Sequence, residues 1–232
     1  MHRLRIGASC CGGLDINFDL GVLNGRVFVA NGLMSIDLWI KDGRIAALGG
    51  DHRAEETIHA SSMLVLPGAI DAHVHFRDPG PNYKEDWASG SASAAAGGVT
   101  TAIDQPNTTP RTLDAMSFGE KLDIASHRSM VDFCLNGGAG DIDELAAAGA
   151  TAIGEIFSYE HSDEQLQKIL GQAEAAGMLA TLHAEDGLII KELVALLQHR
   201  HDAEVYSQAR PAAAEAQAIE KCLGWANRLH IC

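Results

Sequence analysis

Basic residues are scarce in this sequence: 17 Lys and Arg stand against 31 Asp and Glu, a formal charge of −14 with histidine neutral. So acidic a chain lacks the positive field that binding to nucleic acid or to an anionic membrane requires. Long apolar runs are missing too; none approaches the roughly 18–20 residues of a membrane span. The stretch after the two arginines of Met1–Arg5 is Gly-rich and carries an acid, without the continuous apolar core of a signal peptide. The five cysteines (Cys10, Cys11, Cys134, Cys222 and Cys232) form no CxxC pair. That excludes a cysteine zinc knuckle and argues against an extracellular disulfide framework, leaving Cys134 and Cys222 as small apolar core residues. The expected location is the cytoplasm.

What is present is a globular composition, 232 residues of which 47% are apolar. Chains of this length hide about two-thirds or more of their unfolded surface and form one or two domains. Two regions of different period follow each other. Up to about residue 62, after a looser stretch over 1–15, short β-type runs (22–29, 36–40 and 44–48) are punctuated by Asn24-Gly25, Asn31-Gly32 and Asp42-Gly43. Such pairs supply the positive φ of tight hairpins, which predicts a small antiparallel β unit.

From residue 63 to 232, strand-like apolar runs alternate with Ala-rich helical stretches. Strands are expected over 64–75, 99–105, 130–136, 152–157, 178–183 and 229–232. Helices are expected over 84–96, 112–126, 141–148, 162–176, 187–198 and 211–227. Ser162 and Gln165 form a capping box, and Pro211 suits a first helical turn. Strict alternation implies a parallel sheet with right-handed crossovers. Each βα step takes about 31 residues, whereas a (β/α)8 barrel needs about 250. The roughly 170 residues from Met63 onward make about five and a half βα units, an α/β fold read as an incomplete TIM-like barrel.

Chemistry-bearing residues recur at the expected C-terminal ends of these strands, where such barrels place their sites. His73 and His75 come first; at i and i+2 on a strand they share a face and can meet on one metal ion. Eleven histidines produce about half such a pair by chance, so spacing alone is weak evidence. A second pair, His199 and His201, follows a helical stretch where i and i+2 diverge, and is read as surface. Arg77 stands two residues after the first pair. Asp104, Gln105 and Asn107 end the second strand, Asn136 the third, and His183 with Glu185 the fifth; Glu155 lies within the fourth. Histidine and glutamate together suit Zn2+, and Arg77 offers a planar fork for a carboxylate.

The run Val65–Gly80, with its core Asp71-Ala72-His73-Val74-His75-Phe76-Arg77, resembles the opening signature of dihydroorotases and related cyclic amidohydrolases. So do 84–86, 94–101, Gln105-Pro106-Asn107-Thr108, Leu182–Asp186, Arg210-Pro211 and Glu215, in that order. The β unit before the barrel is similar to the small β-sandwich these enzymes carry, which implies a β-sandwich-like subdomain there. The resemblance implies that His73 and His75 hold a first zinc ion and His183 a second, one or two ions per site. It implies that Arg77 and Asn107 hold the substrate carboxylate, a feature that separates dihydroorotases from hydantoinases and allantoinases. Many relatives carry a carboxylated lysine on the fourth strand; here Glu155 stands in its place as a direct bridge. The family's later histidine and catalytic aspartate fall beyond residue 232, so no catalytic base is assigned within the chain. The expected function is the N-terminal portion of a zinc dihydroorotase of pyrimidine synthesis, inactive by itself. The alternatives are a hydantoinase or allantoinase, or a non-catalytic partner protein. The expected partner is a small molecule, carbamoyl-aspartate or dihydroorotate, with a homodimer left open.

Overall fold

A computed structural model describes residues 17–30 and 32–229. They form two compact units, divided between Pro67 and Gly68, later than the boundary drawn after residue 62. The expectations for residues 1–15 lie outside the described residues.

Among the described residues the first unit holds seven strands: β1 (Asn17–Leu23), β2 (Arg26–Val29), β3 (Gly32–Ser35), β4 (Leu38–Lys41), β5 (Arg44–Leu48), β6 (Arg53–His59) and β7 (Leu64–Val65). They make two sheets, of order β5-β4-β1-β6 and β3-β2-β7. Asp42 and Gly43 (φ 52° and 68°) close the β4–β5 hairpin as the sequence asked, and β3, beginning at Gly32, pairs antiparallel with β2. Asn24 (φ 63°) instead carries the chain from β1 to β2, which lie in different sheets, so the Asn24-Gly25 pair closes no hairpin. The unit is not purely antiparallel, however: β1 pairs with β6 and β2 with β7 in parallel. Turn pairs report only local hairpins, and both parallel pairings join segments distant in sequence. β6 escaped notice because Arg-Ala-Glu-Glu-Thr-Ile-His is polar and largely exposed, with no apolar alternation to mark it.

The second unit alternates strand and helix: β8 (Ala69–Val74), α1 (Trp87–Ala96), β9 (Val99–Asp104), α2 (Ala115–Arg128), β10 (Asp132–Leu135), α3 (Ile142–Ala148), β11 (Ala152–Phe157), α4 (Asp163–Ala175) and β12 (Leu179–His183). Three helices follow: α5 (Gly187–Leu197), α6 (Glu204–Ala209) and α7 (Ala212–Leu229). β8, β9 and β10 pair in parallel, as do β11 and β12. Gly137 N–H donates to the Ala152 carbonyl at 3.0 Å and Gly154 N–H to the Gly137 carbonyl at 2.8 Å, joining β10 to β11. Five parallel strands therefore lie side by side in chain order, the arrangement that consecutive βα crossovers produce. Helical and strand side chains bury a core including Phe76, Trp87, Phe118, Leu145, Ile153, Ile156, Leu170 and Trp225.

Helix starts follow their caps. The Ser162–Gln165 capping box forms as expected, and equivalent boxes at Asp86 and Asp114 start α1 and α2 later than the sequence suggested, because a capping residue itself stays extended. The strand expected over 64–75 is two, parted at Pro67, which has no N–H to give a ladder. Leu229 ends α7 rather than opening a sixth strand, and 230–232 lie outside the described residues. Cys134 and Cys222 are half-buried free thiols.

Candidate metal centre

The C-terminal ends of β8, β11 and β12 carry the centre. Val74 is the last residue of β8 to pair with β9, and the alternation of the strand sets His73 and His75 on one side of it. Their ring centroids lie 5.1 Å apart. His73 Nε2 is 3.7 Å and His75 Nε2 3.6 Å from the same atom, Oε2 of Glu155. One ligand atom from each of His73, His75 and Glu155 can be chosen so that all three lie within 4.8 Å of one another.

Glu155 reaches this position through a bulge. On β11, Ile153 pairs with Ala180 and Ile156 with Leu182, so Gly154 and Glu155 together oppose the single Thr181. Such an insertion re-aims the side chain next to it. It also demands glycine at 154, where φ is +150° and a Cβ would run into the side chain and carbonyl of Thr181. The other carboxylate oxygen, Oε1, faces His183 Nδ1 at 3.2 Å, at the end of β12. Glu155 thus stands between the histidine pair on one side and the fifth-strand histidine on the other.

Around it the polar partners are specific. Asn107 Nδ2 donates to Glu155 Oε2 at 3.4 Å, while its buried Oδ1 has no partner among the described residues. Asn107 and Glu155 line a cavity of about 200 Å³ together with Arg111, Phe157 and Glu160. His183 Nε2 contacts Glu185 Oε2 at 3.0 Å, and Arg210 closes on that same oxygen. The Arg210 guanidinium lies over the rings of Tyr159 and Tyr206, 4.9 and 5.3 Å from their centroids. Arg77, half-buried at φ +60°, follows the histidines. It makes no ion pair among the described residues, but its charge acts on His75: burial first, then Arg77, pushes that imidazole below its ordinary pKa, against the opposing pull of Glu155. A neutral imidazole is the form that ligates metal.

The donor set fits a divalent cation. Two imidazole nitrogens and a carboxylate oxygen converge, a combination suited to Zn2+, and burial favours the ligand form of His75. Bound there, such an ion would acidify water and polarise a carbonyl. Of the six residues given a metal- or substrate-binding role from sequence, the structure gathers His73, His75, Glu155, His183 and Asn107 into one contact network. Arg77 is at the same strand end without joining it. The sequence reading missed Lys121 and the stacking of Arg210 between Tyr159 and Tyr206; Arg210 and Glu185 were both named from sequence, but not their contact. No local pattern marks these contacts, since the partners lie far along the chain.

The amidohydrolase family model matches residues 64–221. A dihydroorotase of Methanosarcina acetivorans is 41% identical over 226 residues, covering 92% of this chain and 48% of that protein. An allantoinase of Bacillus licheniformis is 34% identical over 246 residues, covering 93% of this chain and 54% of that one. Among solved structures, the L-hydantoinase (dihydropyrimidinase) from Arthrobacter aurescens superposes with a TM-score of 0.82 at 32% identity, over 91% of this chain and 51% of its own. The chain spans about half the length of the curated relatives it matches. Since the family model takes in the strands that carry both the histidine pair and Glu155, this chain belongs to the amidohydrolase family.

Proposed function

We propose that the chain is the N-terminal portion of a zinc-dependent dihydroorotase, an enzyme that reversibly closes N-carbamoyl-L-aspartate to dihydroorotate. The observation that carries the metal part is the position of Glu155, one oxygen toward His73 and His75 and the other toward His183. In this reading the carboxylate bridges two zinc sites directly, with no modified lysine. Arg77 and Asn107 hold the substrate carboxylate. The unpartnered Oδ1 and the cavity beside Asn107 support a ligand at that end. The half-length match to relatives supports a barrel completed by chain beyond these residues, which would bring the later histidine and the proton-accepting aspartate. The 232-residue chain alone is then expected to turn over no cyclic amide, because proton transfer needs a positioned base. Turnover by that chain alone would overturn this part of the reading.

A second reading, hydantoinase or allantoinase, is favoured by the likeness to those relatives. The experiment that separates them is Arg77→Met in the enzyme carrying this chain. For a dihydroorotase, loss of a buried charge partner is expected to cost turnover of dihydroorotate at least about 30-fold, with hydantoin unaffected. Undiminished dihydroorotate turnover would give the site to the second reading.

A further inference from the structure

Lys121 is a fully buried lysine on α2, with none of its side chain exposed. Its ammonium sits 2.5 Å from Asp104 Oδ2 and donates to the Gln105 carbonyl at 2.6 Å. Burial pushes its pKa down, against the pull of Asp104. The sequence reading left Asp104 without a role, and the proposed reaction uses neither residue. Buried charges are costly and are kept where they are paired and do something specific.

What the pair does is visible one strand away. The β8–β9 ladder ends with Val74 opposite Asp104 and with Gln105 N–H donating to the Val74 carbonyl at 3.0 Å. Beyond that point the chain runs through His75, Phe76 and Arg77, whose φ of +60° turns it away from strand geometry. Among the described residues one hydrogen bond ties the backbone of this segment: Phe76 N–H donates to Asp104 Oδ1 at 2.7 Å. A side-chain carboxylate thus continues the ladder after the backbone partner has ended. Lys121 holds the other oxygen of that carboxylate. The Phe76 ring, against Trp87 at 4.8 Å between centroids, anchors the same residue from the core. The belt runs on sideways: Gln105 Nε2 donates to the Ala72 carbonyl at 3.4 Å, and Asn136 Nδ2 donates to Gln105 Oε1 at 3.2 Å.

We infer that the Lys121–Asp104 pair is a positioning device for the metal centre, holding the Phe76 N–H and through it the approach of His75 to Glu155. Asp104 and Lys121 are positioning residues; neither touches the ion or the substrate. The inference rests on the metal-centre reading above and deepens it. It predicts that the feature needed at residue 104 is a hydrogen-bond acceptor for Phe76, with Lys121 needed to keep a charged acceptor there.

The test titrates Co2+ alone into the protein and follows its visible d–d absorption, comparing two double variants that both remove the buried charges. Lys121→Met with Asp104→Asn keeps an acceptor for Phe76 N–H; Lys121→Met with Asp104→Leu does not. The first is expected to bind Co2+ within about threefold of the native protein, with a native spectrum. The second is expected to bind at least about tenfold more weakly with a changed spectrum, in the range that loss of a supporting hydrogen bond costs metal sites. A purely structural pair would lower the unfolding temperature of the metal-free variants and leave affinity and spectrum unchanged. A folded leucine variant with native affinity and spectrum would therefore overturn the inference. So would an asparagine variant that loses more than tenfold, a comparison that stands even if the leucine variant does not fold. Failure of the native protein to bind Co2+, or binding indifferent to His73→Ala, would remove the metal-centre reading and this inference with it.

Discussion

His73 and His75 stand at the end of a parallel strand, whereas His199 and His201, spaced identically, stand in the turn that follows α5. The first pair converges on a carboxylate brought by another strand. The second is exposed and makes no ion pair among the described residues, while Arg200 between its members turns to Asp202 at 2.7 Å. Spacing alone therefore does not make a site. An extended backbone puts i and i+2 on one side, and only a neighbouring strand can then supply the third group. The supporting structure differs as well: a fully buried ion pair lies beneath the first pair, and solvent-exposed polar contacts surround the second.

The largest expected effect probes that support. Lys121→Met alone leaves the Asp104 carboxylate buried without its cation and should destabilise the protein by about 3–5 kcal/mol, measured by urea unfolding. Arg200→Ala, beside the exposed pair, should leave the unfolding midpoint unchanged. Equal effects would erase the contrast between the two regions.

Next in size is metal affinity. His73→Ala or His75→Ala removes a donor and should weaken Zn2+ binding by about 100-fold or more in calorimetric titration, beyond the 10–100-fold typical of supporting residues. Glu155→Ala should lower the metal content in the same direction, and unchanged content would sink its role as a bridge. His199→Ala and His201→Ala should change nothing.

A smaller effect concerns the helix that follows β11 and its bulge. Ser162 accepts from Gln165 N–H at 3.3 Å, and Gln165 Oε1 accepts from Ser162 N–H at 2.8 Å. Ser162→Ala should cost about 1 kcal/mol of stability, as lost caps usually do, without altering metal affinity.

The last prediction is one of pH. Asp186, buried at the start of α5, is held below its ordinary value near 3.8 chiefly by its hydrogen bond from Lys221. A carboxyl whose folded pKa is depressed stabilises the fold above its unfolded value and loses that contribution as the pH falls through the folded one. The stability gap between the native protein and Lys221→Met should therefore be full near neutral pH and shrink below about pH 3.8. A gap constant down to pH 2 would remove Asp186 from the account.

Much of the second unit is legible in the sequence because its signals are local. β11 occupies the residues expected of it, 152–157, and the Ser162 box starts α4 where it should. The residues of the metal centre could be picked out because they end successive strands, and parallel βα order brings such ends together. Their support could not. Lys121 looks like any helical lysine until its ammonium meets Asp104, and Arg210, though part of the family resemblance, shows its contact with Glu185 and Tyr159 only in the structure. In the first unit, turn pairs marked the β4–β5 hairpin but were silent about β6, whose partner β1 lies earlier in the chain, with β2 to β5 between them. Short-range chemistry is written in neighbouring letters, and long-range pairing is not.

Anomalous diffraction at the zinc edge, from crystals of the protein grown with Zn2+, tests the central claim most directly. The account predicts a peak bounded by His73 Nε2, His75 Nε2 and Glu155 Oε2, with Zn–N distances of about 2.0–2.1 Å. Zinc absent from that position, or found instead at His199 and His201, would contradict it.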